Sequence, residues 1–90
     1  MNEKEPERTL KALANRRRIS IIKYIRKKKE ASVGEIAEAI KLSFKATSRH
    51  LAILFAADLL EKESRGLQIF YSLSNGVSDT KRKLLAIVEN

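Results

Sequence analysis

Apolar residues recur at helical spacing through the first two thirds of the chain, change to a strand period, then return to helical spacing. Leu10, Leu13 and Ala14 share one face of a helix expected from about Arg8, behind a polar leader, residues 1–7, expected to be flexible. Ile19, Ile22 and Ile25 mark one side of a second helix, with Lys23, Arg26 and Lys27 pointing elsewhere. Asn15 is placed to cap it, because its side-chain oxygen can accept from free backbone N–H groups. The run RKKKEAS is expected to end this helix in a cationic last turn that suits the helix dipole.

SVGE has the form of a capping box, with Ser32 as N-cap and Glu35 three residues on. It opens a third helix with Val33, Ile36, Ala37 and Ile40 inward. KLS follows, with Leu42 as a core plug and Ser43 as the next N-cap, so about three residues separate two helices, which is helix-turn-helix spacing. Lys41 occupies a turn position where glycine would be easier, and strain is expected there. A fourth helix, residues 44–57, turns Thr47, Leu51, Leu54 and Phe55 inward, and Asp58 takes a left-handed position after it. LLEKES and LQIFYSL then read as two strands joined at Arg65 and Gly66. SNG signals a turn. Ser78 or Asp79 caps a last helix carrying Leu84, Leu85, Ile87 and Val88.

The order predicts a mainly α domain with a small β-hairpin, α-α-α-turn-α-β-β-α, occupying residues 8–90. This is a winged helix-turn-helix with the hairpin as wing.

Charge narrows the partner. The net charge is +8, and between Arg8 and Leu51 thirteen Lys or Arg face three Glu, a local balance of +10. A field of this kind suits a polyanion. There is no cysteine, which removes disulfides and thiolate metal sites. No apolar run has the length of a membrane span, and the polar N-terminus is unlike a signal peptide, so a cytoplasmic protein is expected. No nucleophile–base pair, Gly-rich phosphate loop or carboxylate pair is visible, so an enzyme is not expected. His50 is the only histidine and cannot build a metal site alone.

With the inward stripe removed, the fourth helix presents Lys45, Ser48, Arg49 and Ala52, with Phe44 and His50 at the margins. Such a face is ordinarily just solvated. Here the turn spacing, the wing and the basic field coincide with it. Small residues let a helix lie deep in a major groove, and Ser and Arg can bond base edges or phosphates there. The wing tip ESRGLQ, near residues 64–68, adds Arg65 and Gln68 as candidate DNA contacts, with Arg65 able to enter a minor groove or clamp a phosphate. Arg16 and Arg17 begin the second helix, whose N-terminal N–H groups can also take a phosphate, while Arg18 borders the isoleucine stripe and is assigned a structural role.

LKALANRRRISIIKYI, SVGEIAEAIKLSFKATSRHLAIL and LLEKESRGLQIFYSL resemble the arsenic-repressor (ArsR-type) family of winged-helix transcriptional regulators, over roughly Leu10 to Leu73. The resemblance implies a homodimer joined through the first and last helices. It implies the fourth helix as recognition helix, with Lys45, Ser48, Arg49 and His50 at the DNA and Phe44 beside them. Departures matter. The family's Cys-x-Cys pair at the start of the third helix is SVGE here, and SDTKRKLLAIVEN on the last helix has no histidine. Metal or metalloid sensing is therefore not expected, no cofactor is implied, and an effector is not named by the sequence.

Leu84, Ile87 and Val88 form one apolar stripe and Leu10 and Leu13 another. They either close the monomer's own core or make a seam between two chains, and the dimer is the reading preferred. The functional expectation is a sequence-specific double-stranded DNA-binding regulator, with repression as its direction. The alternatives are non-specific nucleic-acid binding or a protein-interaction module, and a basic membrane-surface helix is disfavoured because its isoleucines are better used in a core.

Overall fold

The structure, a computed structural model, describes residues 4–74. The expected last helix, with Leu84, Leu85, Ile87 and Val88, lies outside the described residues.

Four helices begin where local chemistry allows. α1, Lys4–Leu13, starts about four residues earlier than the apolar spacing suggested. Its buried side is Thr9, Ala12 and Leu13, while Leu10 and Ala14 are exposed, so of the expected trio only Leu13 points inward. α2, Arg16–Lys28, is capped by Asn15, whose side-chain oxygen accepts from Arg17 N at 2.9 Å and Arg18 N at 3.2 Å. Ile21, Ile22 and Ile25 are its fully buried residues, and Ile19 is half-buried on the flank. The buried stripe follows positions 21, 22 and 25, one and four apart, rather than a plain three-residue step.

α3, Val33–Ile40, carries the expected capping box. Ser32 Oγ accepts from Glu35 N at 3.2 Å, and Glu35 Oε1 accepts from Ser32 N at 3.0 Å. Each end thereby supplies the other's missing partner, a device whose loss costs about 1 kcal/mol. Lys41 then turns left-handed, at φ 57° and ψ 51°. Its N–H donates to Glu38 O at 3.3 Å and Leu42 N–H to Ala37 O at 3.0 Å, the bond pair of a Schellman ending. Leu42 is half-buried rather than a full core plug.

α4, Phe44–Ala56, starts after Ser43, whose hydroxyl accepts from Ala46 N at 3.1 Å. It ends in the same way as α3. Asp58, at φ 60°, donates to Phe55 O, and Leu59 N–H donates to Leu54 O. Leu59 and Leu54 are both fully buried, which supplies the apolar contact that accompanies this ending. Thr47, Leu51 and Leu54 are the buried stripe, whereas Phe55 stays exposed, with the Lys62 ammonium 4.4 Å from its ring centre.

The hairpin has a third strand that the pattern did not signal. β1, Glu30–Ser32, pairs antiparallel with β3, Gln68–Leu73, which pairs antiparallel with β2, Leu60–Arg65, giving the order β1-β3-β2. EAS is therefore not the tail of a solvated helix end. Lys29, at φ 75° and ψ −42°, breaks α2 and sends the chain into the sheet. A three-residue strand whose partner lies far downstream has no local periodicity to reveal it. The hairpin turn is Gly66 and Leu67, between paired Arg65 and Gln68, and Gly66 has φ 62°, as a two-residue loop requires.

The core joins Ile21, Ile22 and Ile25 of α2, Ile36 of α3, and Leu51, Leu54 and Leu59 along and after α4. Ala31, Leu60 and Tyr71 bring the sheet to it, one residue from each strand. Burial raises the Tyr71 hydroxyl above its ordinary pKa. Each strand thus buries one face and leaves Glu30, Glu63, Arg65 and Phe70 on the other, reaching outward.

Candidate nucleic-acid interface

Ser43 and the two Schellman endings set the bounds of α4, whose inward stripe is Thr47, Leu51 and Leu54 and whose opposite face is left to solvent. Positions four apart on a helix share a face. Lys45 and Arg49 therefore form one exposed column, and neither has an acidic partner among the described residues. Phe44 and Ser48 form the neighbouring column. Phe44 is 62% exposed, and Ser48 is half-buried.

The Phe44–Ser48 column borders the wing. Both residues line a groove of about 280 Å³ with Val33 and Gly34 at the start of α3 and Leu67, Gln68 and Ile69 of the hairpin. Helix and wing thus share one groove, with Gln68 exposed at its wing side, and the exposed Lys45 and Arg49 stand next in sequence to its Phe44 and Ser48.

His50 is set differently. It is half-buried, and its Nδ1 is buried with no partner among the described residues. Burial first, then the positive charges of Arg18, Arg17 and Arg49, lowers its pKa. At neutral pH it is an uncharged imidazole lodged against α2, not a cation displayed to solvent.

The arginine cluster divides. Arg16 is exposed and lines a cleft with Arg17, Ser20, Tyr24 and Ile40. Arg17 Nη1 donates to Ile40 O at 3.4 Å, tying α2 to the end of α3 beside the helix-turn-helix turn. Arg18 Nη2 reaches Lys11 O at 3.5 Å, in line with the structural role expected of it, while its Nε is buried with no partner among the described residues. Two of the backbone N–H groups offered to a phosphate at the start of α2 are already taken by Asn15.

Arg65 is held within the sheet. Its Nη1 and Nη2 donate to the two carboxylate oxygens of Glu30 at 2.8 and 2.7 Å, and its Nε donates to Glu63 Oε1 at 2.6 Å. Its guanidinium lies over the Phe70 ring, 4.5 Å from the centre. These bonds raise its pKa further, and the Arg65 bond lowers that of Glu30. Sequence reasoning had not found Glu30, because nothing local links it to residue 65. Leu67 was also missed, although a two-residue turn leaves no room to hide its second residue.

Of the proposed seam, Leu10 is 53% exposed and free to meet a second surface, whereas Leu13 already belongs to the chain's own core. Among the described residues no group of three or more His, Cys, Asp or Glu could hold a metal ion, and no helix is long and apolar enough to cross a membrane.

Residues 15–62 match the family model of bacterial regulatory proteins of the arsR family. The chain belongs to that family. It is similar to the transcriptional activator HlyU of Vibrio cholerae, 39% identical over 66 residues, which cover 73% of this chain and 60% of the relative. The reduced HlyU structure superposes with a TM-score of 0.77 at 33% identity, covering 94% of this chain and 82% of that one. The transcriptional repressor PagR of Bacillus anthracis is 29% identical over 85 residues, 94% of this chain and 85% of the relative. A homodimeric winged helix-turn-helix DNA-binding domain from Mycobacterium bovis matches with a TM-score of 0.79 at 26% identity, covering 99% of this chain and 83% of that one. The match to HlyU thus spans less than two thirds of that relative's length, while the match to PagR spans most of it.

Proposed function

We propose that this chain is a sequence-specific double-stranded DNA-binding transcriptional regulator that reads the major groove with α4. The observation that carries this reading is the exposed Lys45–Arg49 column on a helix whose core side is fully locked. Two unpaired cations one turn apart near a helix N-terminus match the part of a helix-turn-helix that meets base edges. Arg49 is the residue proposed to read a base, since a guanidinium can bond guanine O6 and N7 together. Lys45 and Ser48 bond phosphates or base edges beside it, and Phe44 offers its exposed ring to a thymine methyl. Arg16 is placed for a flanking phosphate. Arg17 serves first the turn and then, through its remaining donors, the same backbone. His50 supports the helix and reaches DNA only at its edge. Gln68 is the polar wing contact.

The proposed direction is repression, as with PagR, a relative matched over most of both chains. Such a regulator acts in the cytoplasm, where the DNA is. The proposed active form is a homodimer, supported by the homodimeric Mycobacterium bovis relative and by the exposed Leu10. Its seam would join Leu10 to Leu84, Ile87 and Val88, with Leu13 behind it in the core. Two copies of α4 would then read half-sites about 34–36 Å apart. No metal or other cofactor is part of the proposal.

The test is selection of binding sites from a random-sequence duplex pool. The proposal expects a two-fold-symmetric motif with half-sites one helical turn apart. Enrichment without a motif would replace it with a general nucleic-acid binder.

A further inference from the structure

The exposed large apolar side chains of the described residues fall into two groups. Leu10, Ile53 and Phe55 lie on α1 and the C-terminal half of α4, and Phe44, Leu67 and Ile69 surround the groove between α4 and the wing. In the second group Leu67 is 105% exposed, at the tip of the hairpin, while the cation expected to act there is bound to Glu30 and Glu63. An isolated exposed leucine is ordinary. One that caps a wing, beside a groove whose other wall is the Phe44–Ser48 column of a DNA-facing helix, is in a different position.

We propose that Leu67 is the wing's apolar contact with DNA, entering the minor groove beside Gln68 while Arg65 stays on the sheet and holds the hairpin upright. This rests on the reading of α4 as the major-groove helix. The occupant is chosen by charge: Lys45 and Arg49, exposed and each next in sequence to the groove-lining Phe44 and Ser48, have no acidic partner among the described residues and suit a phosphate backbone. The walls of a minor groove are deoxyribose carbons, and apolar side chains are used there as wedges that favour easily deformed base steps. A contact of this kind releases no counterions, so it adds affinity and a shape preference without adding salt dependence.

The experiment repeats the site selection with wild type, Leu67→Ser and Leu67→Met, then titrates each against the wild-type enriched duplex by anisotropy at several salt concentrations. Leu67→Ser is expected to bind about tenfold more weakly. Its salt slope and central motif should be unchanged, and its base preference at the flanks flattened, while Leu67→Met, still long and apolar, should behave as wild type. Unchanged affinity of Leu67→Ser, or a smaller salt slope, would overturn the inference and leave α4's role intact. So would a change in self-association of DNA-free Leu67→Ser, which would assign the tip to a second copy of the chain. A wild type that selects no motif would overturn both readings together.

Discussion

Arg65 on β2 reaches across β3 to grip Glu30 on β1, with both carboxylate oxygens within 2.8 Å and the Phe70 ring beneath the guanidinium. One side chain therefore spans all three strands and fastens the wing to the strand that leads into α3. The pair is half-exposed, so its worth lies in geometry more than in stability. Glu30→Gln should leave the far-UV dichroism intact and speed hydrogen exchange at the amides of β1 and β3. Unaltered exchange there would show that the strands hold without the clip.

The same pair carries a pH dependence. The Arg65 bond holds the Glu30 pKa below its unfolded value of 4.5, so the protein favours the ionised form. The contribution is complete above that value and is lost as pH falls through the lowered one. Protection of the β1 amides should be level from pH 7 to 5 and fall below 4.5 in the wild type. In Glu30→Gln this acid-driven loss should be absent.

His50 gives a second test of the same sign, nearer neutrality. Its folded pKa lies below 6.5, chiefly through burial, so the unfolded chain takes up the proton first. Stability is then full above pH 6.5 and declines as the pH drops below it. Melting temperature followed from pH 7.5 to 5 should fall more in the wild type than in His50→Gln. Parallel curves would contradict the buried, neutral imidazole.

Two lysines hold left-handed backbone after helices, and they are not equally comfortable. Lys41 lies in the left-handed helical well, whereas Lys29, at φ 75° and ψ −42°, lies near the strained γ-turn region. Glycine relieves such strain at some cost in chain entropy. Lys29→Gly should stabilise by about 1 kcal/mol and Lys41→Gly by less. Thermal denaturation of the two variants ranks them, and the reverse order would place the strain elsewhere.

Features written within a few residues of each other were legible in the sequence. Ser32 and Glu35 announce a capping box, Asn15 and Ser43 announce caps, and Lys41 and Asp58 were foreseen in left-handed turns, because each depends on local backbone chemistry alone. The helix-turn-helix and the exposed Lys45 and Arg49 follow from those ends plus the Thr47, Leu51, Leu54 stripe. What escaped depends on residues distant in sequence. β1 exists because Ala31 meets Tyr71, and Arg65 is turned from a free cation into a clip by Glu30. Leu10 and Leu13, three apart, read as one stripe, yet the start of α1 at Lys4 and the packing of Thr9 and Ala12 leave only Leu13 inside.

Phe44 separates stability from recognition. Because its ring is 62% exposed, Phe44→Ala should change folding stability by about 0.5 kcal/mol or less. Its affinity for the selected duplex should fall, most at sites carrying thymine. An equal loss on every sequence would make Phe44 a general surface contact.

The central claim is that Arg49 on α4 reads a base. The most direct measurement is fluorescence anisotropy of wild type and Arg49→Ala against a duplex from the protein's own upstream region and a scrambled duplex, at two salt concentrations. Wild type should prefer the first by a factor on the order of 10³. Arg49→Ala should lose about 1–3 kcal/mol on that duplex and little on the scrambled one. Equal, steeply salt-dependent binding of wild type to both duplexes, or an Arg49→Ala protein that binds as wild type does, would contradict it.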